Sequence, residues 1–153
     1  MKELELKVPP VVLAIGIAAL MWIGSKVLPD FQFSIAGSGF IAIGIAVIGS
    51  VIALLGVMAF RSADTTVDPR APDQSSSLVV HGIYQRTRNP MYVGILLILC
   101  AWGLFLGSIL SFAMIPVFVV YMNRYQIIPE ERYMRANFGE EYAQYVSRVR
   151  RWI

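Results

Sequence analysis

The chain has 153 residues, of which 57% are apolar and only 15% charged, with a formal net charge of +3. A soluble domain carries about 25% charged residues, so this composition excludes an ordinary water-facing surface. One cysteine, Cys100, excludes an intrachain disulfide, and one cysteine with one histidine, His81, makes no metal site.

The charges are segregated, and the chain reads as an all-α, polytopic membrane protein with about four transmembrane helices and C-terminal amphipathic helices, all in one membrane domain. The first predicted span is 8–28. Lys2 and Lys7 precede it, but it reaches membrane-span length without a convincing small-residue cleavage site, which separates it from a signal peptide. Lys26 lies close enough to its end to snorkel. The second span, 35–60, has no ionisable residue and carries Gly39, Gly44 and Gly49 at five-residue spacing. That spacing predicts a face where another helix approaches closely, although glycine is also simply common in membrane helices.

Residues 61–77 are polar, with Pro69 and Pro72, and read as a linker. In the segment 77–92, Gly82 marks a turn and Asn89-Pro90 a boundary, with Pro90 suited to a first helical position because its missing N–H has no helical partner there. Two shorter apolar runs follow, 91–106 and 109–122, separated by Gly107 and Ser108. Each falls short of the roughly 20 residues of a standard span, so a helical hairpin or a single re-entrant one is expected. Pro129 opens a last helical stretch over 129–151, with Glu130 and Glu131 at its positive end and an apolar stripe from Tyr133 to Trp152 that Gly139 should break in two. Arg148, Arg150, Arg151 and Trp152 suit an anionic membrane surface. Of the 13 basic residues, all but Lys26 fall on one side of this arrangement, which puts both termini of a multi-pass protein in the cytoplasm.

The run Gly82-Ile83-Tyr84 followed by Arg88-Asn89-Pro90-Met91-Tyr92 resembles the G-x-Y … R-H-P-x-Y signature of the isoprenylcysteine carboxyl methyltransferases, relatives of the membrane phospholipid methyltransferases. Glu130-Glu131, then Phe138-Gly-Glu-Glu-Tyr142 and Tyr145, is similar to that family's E-E … F-G-E-E-Y-x-x-Y block. The resemblance covers roughly half the chain, residues 76–151. It implies an integral-membrane enzyme that moves a methyl group from S-adenosylmethionine to a lipophilic or small acceptor at the cytoplasmic membrane edge. A prenylated-cysteine carboxylate, a phospholipid amine and a thiol all fit as acceptor. A non-catalytic scaffold on the same fold is the competing class. The resemblance places Ser76, Ser77, Leu78, Val79, Tyr84, Asn89, Pro90, Met91, Tyr92, Glu130 and Glu131 around the cofactor, and Arg124, Gln126 and Glu130 at the chemistry. The chain departs from the family twice: Asn89 stands for the histidine and Gln126 for an arginine that serves substrate and catalysis.

Methyl transfer from a sulfonium needs donor and acceptor held in line and water excluded, not a catalytic triad. A glutamate can pair with the donor's ammonium, backbone N–H groups near Asn89 and Pro90 can face its carboxylate, and the rings of Tyr84 and Tyr92 suit adenine or the sulfonium. The plainer readings are a charged helix start for Glu130 and Glu131, interfacial anchors for the tyrosines, and topology signals or lipid-phosphate contacts for Arg86 and Arg88. Membrane lipid is the expected partner. Nothing in the sequence resembles a nucleic-acid module, and the sequence pI of about 9.2 follows from the orientation rule.

Overall fold

A computed structural model describes residues 4–63 and 77–153. Five α-helices carry the fold: α1 (Pro10–Val27), α2 (Ser38–Ser62), α3 (Pro90–Leu106), α4 (Ile109–Tyr121) and α5 (Ile128–Arg148). The described residues contain no strand; one isolated bridge joins Gln32 and Ser108. α1 and α2 are long and apolar enough to cross a membrane. Their outer faces leave residues such as Ile15, Trp22, Phe40, Val47, Val51 and Leu54 about half exposed or more. That surface suits hydrocarbon rather than water.

Between helices with such apolar outer faces, association in lipid would rest on close packing and hydrogen bonds. The closest approach is between α2 and α3. A methyl group built at Gly49 would sit 2.7 Å from the Gly94 carbonyl oxygen, and one at Gly56 2.9 Å from the Met91 side chain. Gly49 and Gly56 are seven residues apart, two helical turns, and so share a face. The expected Gly39–Gly44–Gly49 face is therefore corrected: Gly39 and Gly44 meet nothing within 4 Å. α1 packs on α3 and α4 around Ile17, Met21, Leu99, Phe118, Met122 and Ile127. The Trp102 indole donates to the Ala18 carbonyl at 3.0 Å, and the Ser111 hydroxyl to the Met21 carbonyl at 3.3 Å.

At the far turn, Gly107 caps α3 with φ 58° and a methyl there would meet the Phe33 carbonyl at 2.6 Å, so the turn needs a glycine. α4 ends by running into a π-helical turn, Met122–Ile127, which leads directly into α5. Proline supplies the cause. Pro129 has no N–H for the Tyr125 carbonyl four residues before it, and its ring crowds that carbonyl, so the ladder opens by one residue.

Gly139 breaks the helical dihedrals of α5 at φ 46°, as the sequence predicts. The helix stops at Arg148 rather than running to 151. Residues 149–153 leave it and turn back over the mouth of α3, where the Arg88 N–H donates to the Arg150 carbonyl at 2.9 Å.

Candidate functional site

The last turn of the π segment, the first turns of α5 and the start of α3 come together. Tyr92, one turn into α3, donates its hydroxyl to Glu130 Oε1 at 2.5 Å. Gln126 Nε2 donates to the same oxygen at 2.6 Å, and a further side-chain bond links Gln126 to Tyr92. Gln126 is buried, 2% exposed, and Glu130 is partly buried. Both donors converge on one oxygen of a carboxylate withdrawn from water. Burial raises the Glu130 pKa to about 7; the Tyr92 and Gln126 hydrogen bonds hold it down, and the neighbouring Glu131 charge adds to the rise.

Glu131 points the other way. Its Oε1 accepts from Arg88 at 2.8 Å and from Arg151 Nε at 2.9 Å, and its Oε2 accepts from the Arg151 guanidinium at 2.7 Å. Partial burial works to raise its pKa, but the two arginines outweigh that and hold it below the usual carboxylate value. Two adjacent glutamates are thus driven apart: one titrates near neutrality, the other stays ionised. Arg88 also donates to the Val149 carbonyl at 2.8 Å, while its buried Nε–H finds no partner among the described residues. The Asn89 amide donates to the Arg151 carbonyl at 2.8 Å, and Thr87 does so at 3.2 Å. The C-terminal strap is therefore stitched to the α3 mouth through its backbone and Arg151. Glu131→Ala is expected to lower stability by about 2–3 kcal/mol, because Arg88 would keep its enclosure and lose its anion; thermal unfolding in detergent micelles measures this.

The remaining expected residues fall into distinct groups. Tyr84 is buried in a short 3-10 turn, Gly82–Gln85, with its ring against Phe60 at 5.4 Å and its carbonyl accepting from the Tyr145 hydroxyl at 2.8 Å. Burial, with the Tyr145 and Glu130 charges, drives its phenol pKa far up, so it stays protonated. Val79 is buried beside it, Leu78 is half-buried, and Ser77 donates to the Ala63 carbonyl at 3.1 Å. Ser76 lies outside the described residues. Pro90 opens α3, buried, and Met91 packs against the helix core.

Four expectations from the sequence meet other partners in the structure. The Asn89 N–H, expected to face a ligand carboxylate, donates to Thr87 Oγ1 at 3.2 Å. Arg88 pairs with Glu131 at 2.8 Å and donates to the Val149 carbonyl, contacts that the sequence did not suggest. Arg151 and Trp152 turn inward, the indole donating to Asn123 Oδ1 at 3.1 Å, rather than onto a lipid surface. Arg124, expected at the chemistry, pairs with Glu5 at 3.2 Å and does not join the Tyr92–Gln126–Glu130 group. The Arg88–Glu131 pair had no local signal, since 43 residues separate its members.

Glu130 is a carboxylate withdrawn from water, of the kind that can pair with a cation.

The chain is 44% identical over 63 residues to an uncharacterized protein of Haemophilus influenzae, a match covering 41% of this chain and all of that protein. It is 27% identical over 110 residues to a probable protein-S-isoprenylcysteine O-methyltransferase of Oryza sativa subsp. indica, covering 72% of this chain. The counterpart in Oryza sativa subsp. japonica matches to the same extent, and this chain spans 58% of the length of either rice protein. No solved structure matches. The family model for phospholipid methyltransferases matches residues 34–141, well over half of the chain, and this chain belongs to the phospholipid methyltransferase family.

Proposed function

We propose that the chain transfers a methyl group from S-adenosylmethionine to a lipophilic acceptor at the cytoplasmic edge of the membrane. The observation that carries this reading is the Glu130 carboxylate, enclosed by Tyr92 and Gln126 and held near neutrality by its burial. When bound, S-adenosylmethionine supplies a methyl group on a positively charged sulfur. Glu130 would hold the ligand's ammonium and Arg88 its carboxylate, with the buried Tyr84 and Val79 beside Leu78 as an apolar floor. Tyr92 and Gln126 fix the carboxylate so that no reorganisation is needed when the cation arrives. The C-terminal strap and the loop before α3 keep water from the site, so the acceptor is the nucleophile that meets the methyl.

The acceptor side is supported by an apolar groove of about 670 Å³ between α1, α2 and α3, walled by Ala14, Ala18, Ala46, Ile95, Leu99 and Trp102 among others. Ile95 stands one helical turn beyond Tyr92, so an acyl or isoprenyl chain in the groove would bring a headgroup toward the glutamate. Gln126 favours an amine or thiol acceptor over a carboxylate: the position is buried, neutral and committed to Glu130, and so offers no cation to an acceptor anion. In this reading α1, α2, α3 and α4 all span the bilayer, α4 lengthened by its π turn, with both termini cytoplasmic. Purified protein incubated with methyl-labelled donor and fractionated membrane lipid is expected to label an amine- or thiol-bearing lipophilic fraction. Label confined to prenylated-cysteine carboxylates would overturn the acceptor assignment, and no transfer to any fraction would overturn the enzyme reading.

A further inference from the structure

The segment before α1 carries a strained residue. Leu6 has φ 60°, and no other non-glycine among the described residues has a positive φ. For a residue with a Cβ that conformation costs about 1–2 kcal/mol and persists where surrounding contacts over-determine it. Those contacts all run to one place. The Leu6 N–H donates to the Tyr125 carbonyl at 3.0 Å. The Glu5 carboxylate accepts from Arg124 at 3.2 Å and from Arg132 at 2.9 Å. Desolvation works to raise the Glu5 pKa, and the two arginines outweigh it and keep the group ionised.

Tyr125, Arg124 and Arg132 bracket Gln126 and Glu130. The Tyr125 carbonyl is also the one that Pro129 cannot serve, since in an α-helix its donor would be the N–H of residue 129. The Leu6 N–H gives the Tyr125 carbonyl a donor from outside the helix, and the positive φ at Leu6 aims it there. The register of this turn matters. Tightening it by one residue into α-helix would rotate the parts before and after by about 100° relative to each other, separating Gln126 from Glu130.

We propose that Glu5 and Leu6 are positioning residues: an N-terminal strap that holds the π-helical turn in the register where Gln126 and Glu130 meet at Tyr92. The inference rests on the reading that Glu130 faces the methyl donor. Neither strap residue touches the Glu130 carboxylate, which is faced by Tyr92 from α3, Gln126 from the π turn, Tyr84 from the loop and Glu131 alongside, with Arg88 and Arg151 behind Glu131.

The test is S-adenosylmethionine binding by calorimetry on the full chain in lipid nanodiscs, with the melting temperature recorded for each variant. Leu6→Pro deletes the N–H and also forbids the positive φ, so it removes both features of the strap at this residue. Leu6→Gly keeps the N–H and accepts the positive φ without strain. Glu5→Gln removes the charge at constant size. Leu6→Pro and Glu5→Gln are expected to weaken donor binding roughly tenfold at equal folded fraction, and Leu6→Gly to bind as the parent does. Parent-like binding by both Leu6→Pro and Glu5→Gln overturns the inference, as does a Leu6→Gly variant that loses as much as Leu6→Pro. If the parent binds and Glu130→Gln does not while the strap variants behave as the parent, the strap inference alone falls. If the parent binds no donor, the functional reading falls and takes the inference with it.

Discussion

Glu130→Gln is expected to weaken S-adenosylmethionine binding by roughly 100-fold, while the donor-free protein becomes more resistant to heat at alkaline pH. The first effect follows from removing one member of a desolvated charge pair, which typically costs about 2–5 kcal/mol, and about 2.8 kcal/mol is a factor of 100. The second has the opposite sign because the carboxylate is a burden on the empty fold. Its pKa is raised by burial to about 7 from 4.5. A group whose pKa is raised on folding is most favourable when protonated, and that advantage drains away between the two values as pH rises. Above neutrality the parent carries an enclosed ionised carboxylate, whereas the amide keeps its carbonyl oxygen for Tyr92 and Gln126 without the charge. Calorimetric binding and melting curves on the two proteins at pH 8 read both effects together. A simple structural role for Glu130 predicts the reverse in the melt, with the glutamine variant less stable.

Gly94→Val is expected to dissolve the α2–α3 packing, with a loss of at least about 3 kcal/mol, the upper range of over-packing costs. A Cβ at Gly94 would lie against the Gly49 carbonyl oxygen, 2.7 Å from the Ala53 Cβ and 2.9 Å from the Ala53 backbone nitrogen. Two of those three atoms are backbone, so no rotamer change can make room and the helices must part. Parting them moves the start of α3, which carries Tyr92, away from the cluster of Tyr84 with Ala59 and Phe60 at the end of α2. The variant should lose both its monodisperse elution in detergent and its donor binding. Gly39→Ala and Gly44→Ala are the controls. Nothing lies within 4 Å of either position, and alanine exceeds glycine in helix propensity by about 1 kcal/mol, so neither change should harm the fold.

The helices were legible because their signals are local. Helices α1 to α4 lie on the apolar runs 8–28, 35–60, 91–106 and 109–122 within a few residues, since such runs, and the prolines that open α1 and α3, are read directly from the chain. The break at Gly139 was legible for the same reason. The π turn had a local signal, Pro129 four residues after Tyr125, but a proline at that place reads equally well as a helix start. Gly49 and Gly56 were hidden among equivalent glycines because α3, the helix they meet, is known only once the fold is known. The Tyr92–Glu130 contact was foreseeable from the paired motifs, which the resemblance brought to one site. Arg88, Glu131 and Arg151 were not foreseeable as a unit, because ion pairs across 43 and 20 residues leave no periodic trace. Residues 149–151 were read as helix, since their apolar and basic residues continue the stripe of α5; hydrogen bonds from residues 87–89 to their backbone carbonyls hold them away instead.

The most direct measurement of the central claim is the pH dependence of S-adenosylmethionine binding to the unmodified chain. A proton on Glu130 competes with the ligand's ammonium, so affinity should fall about tenfold for each pH unit below a midpoint near 7, and the Glu130→Gln protein should bind weakly and lack that fall. Affinity that stays constant from pH 5.5 to 8.5 in the parent, or that survives Glu130→Gln, would contradict the account.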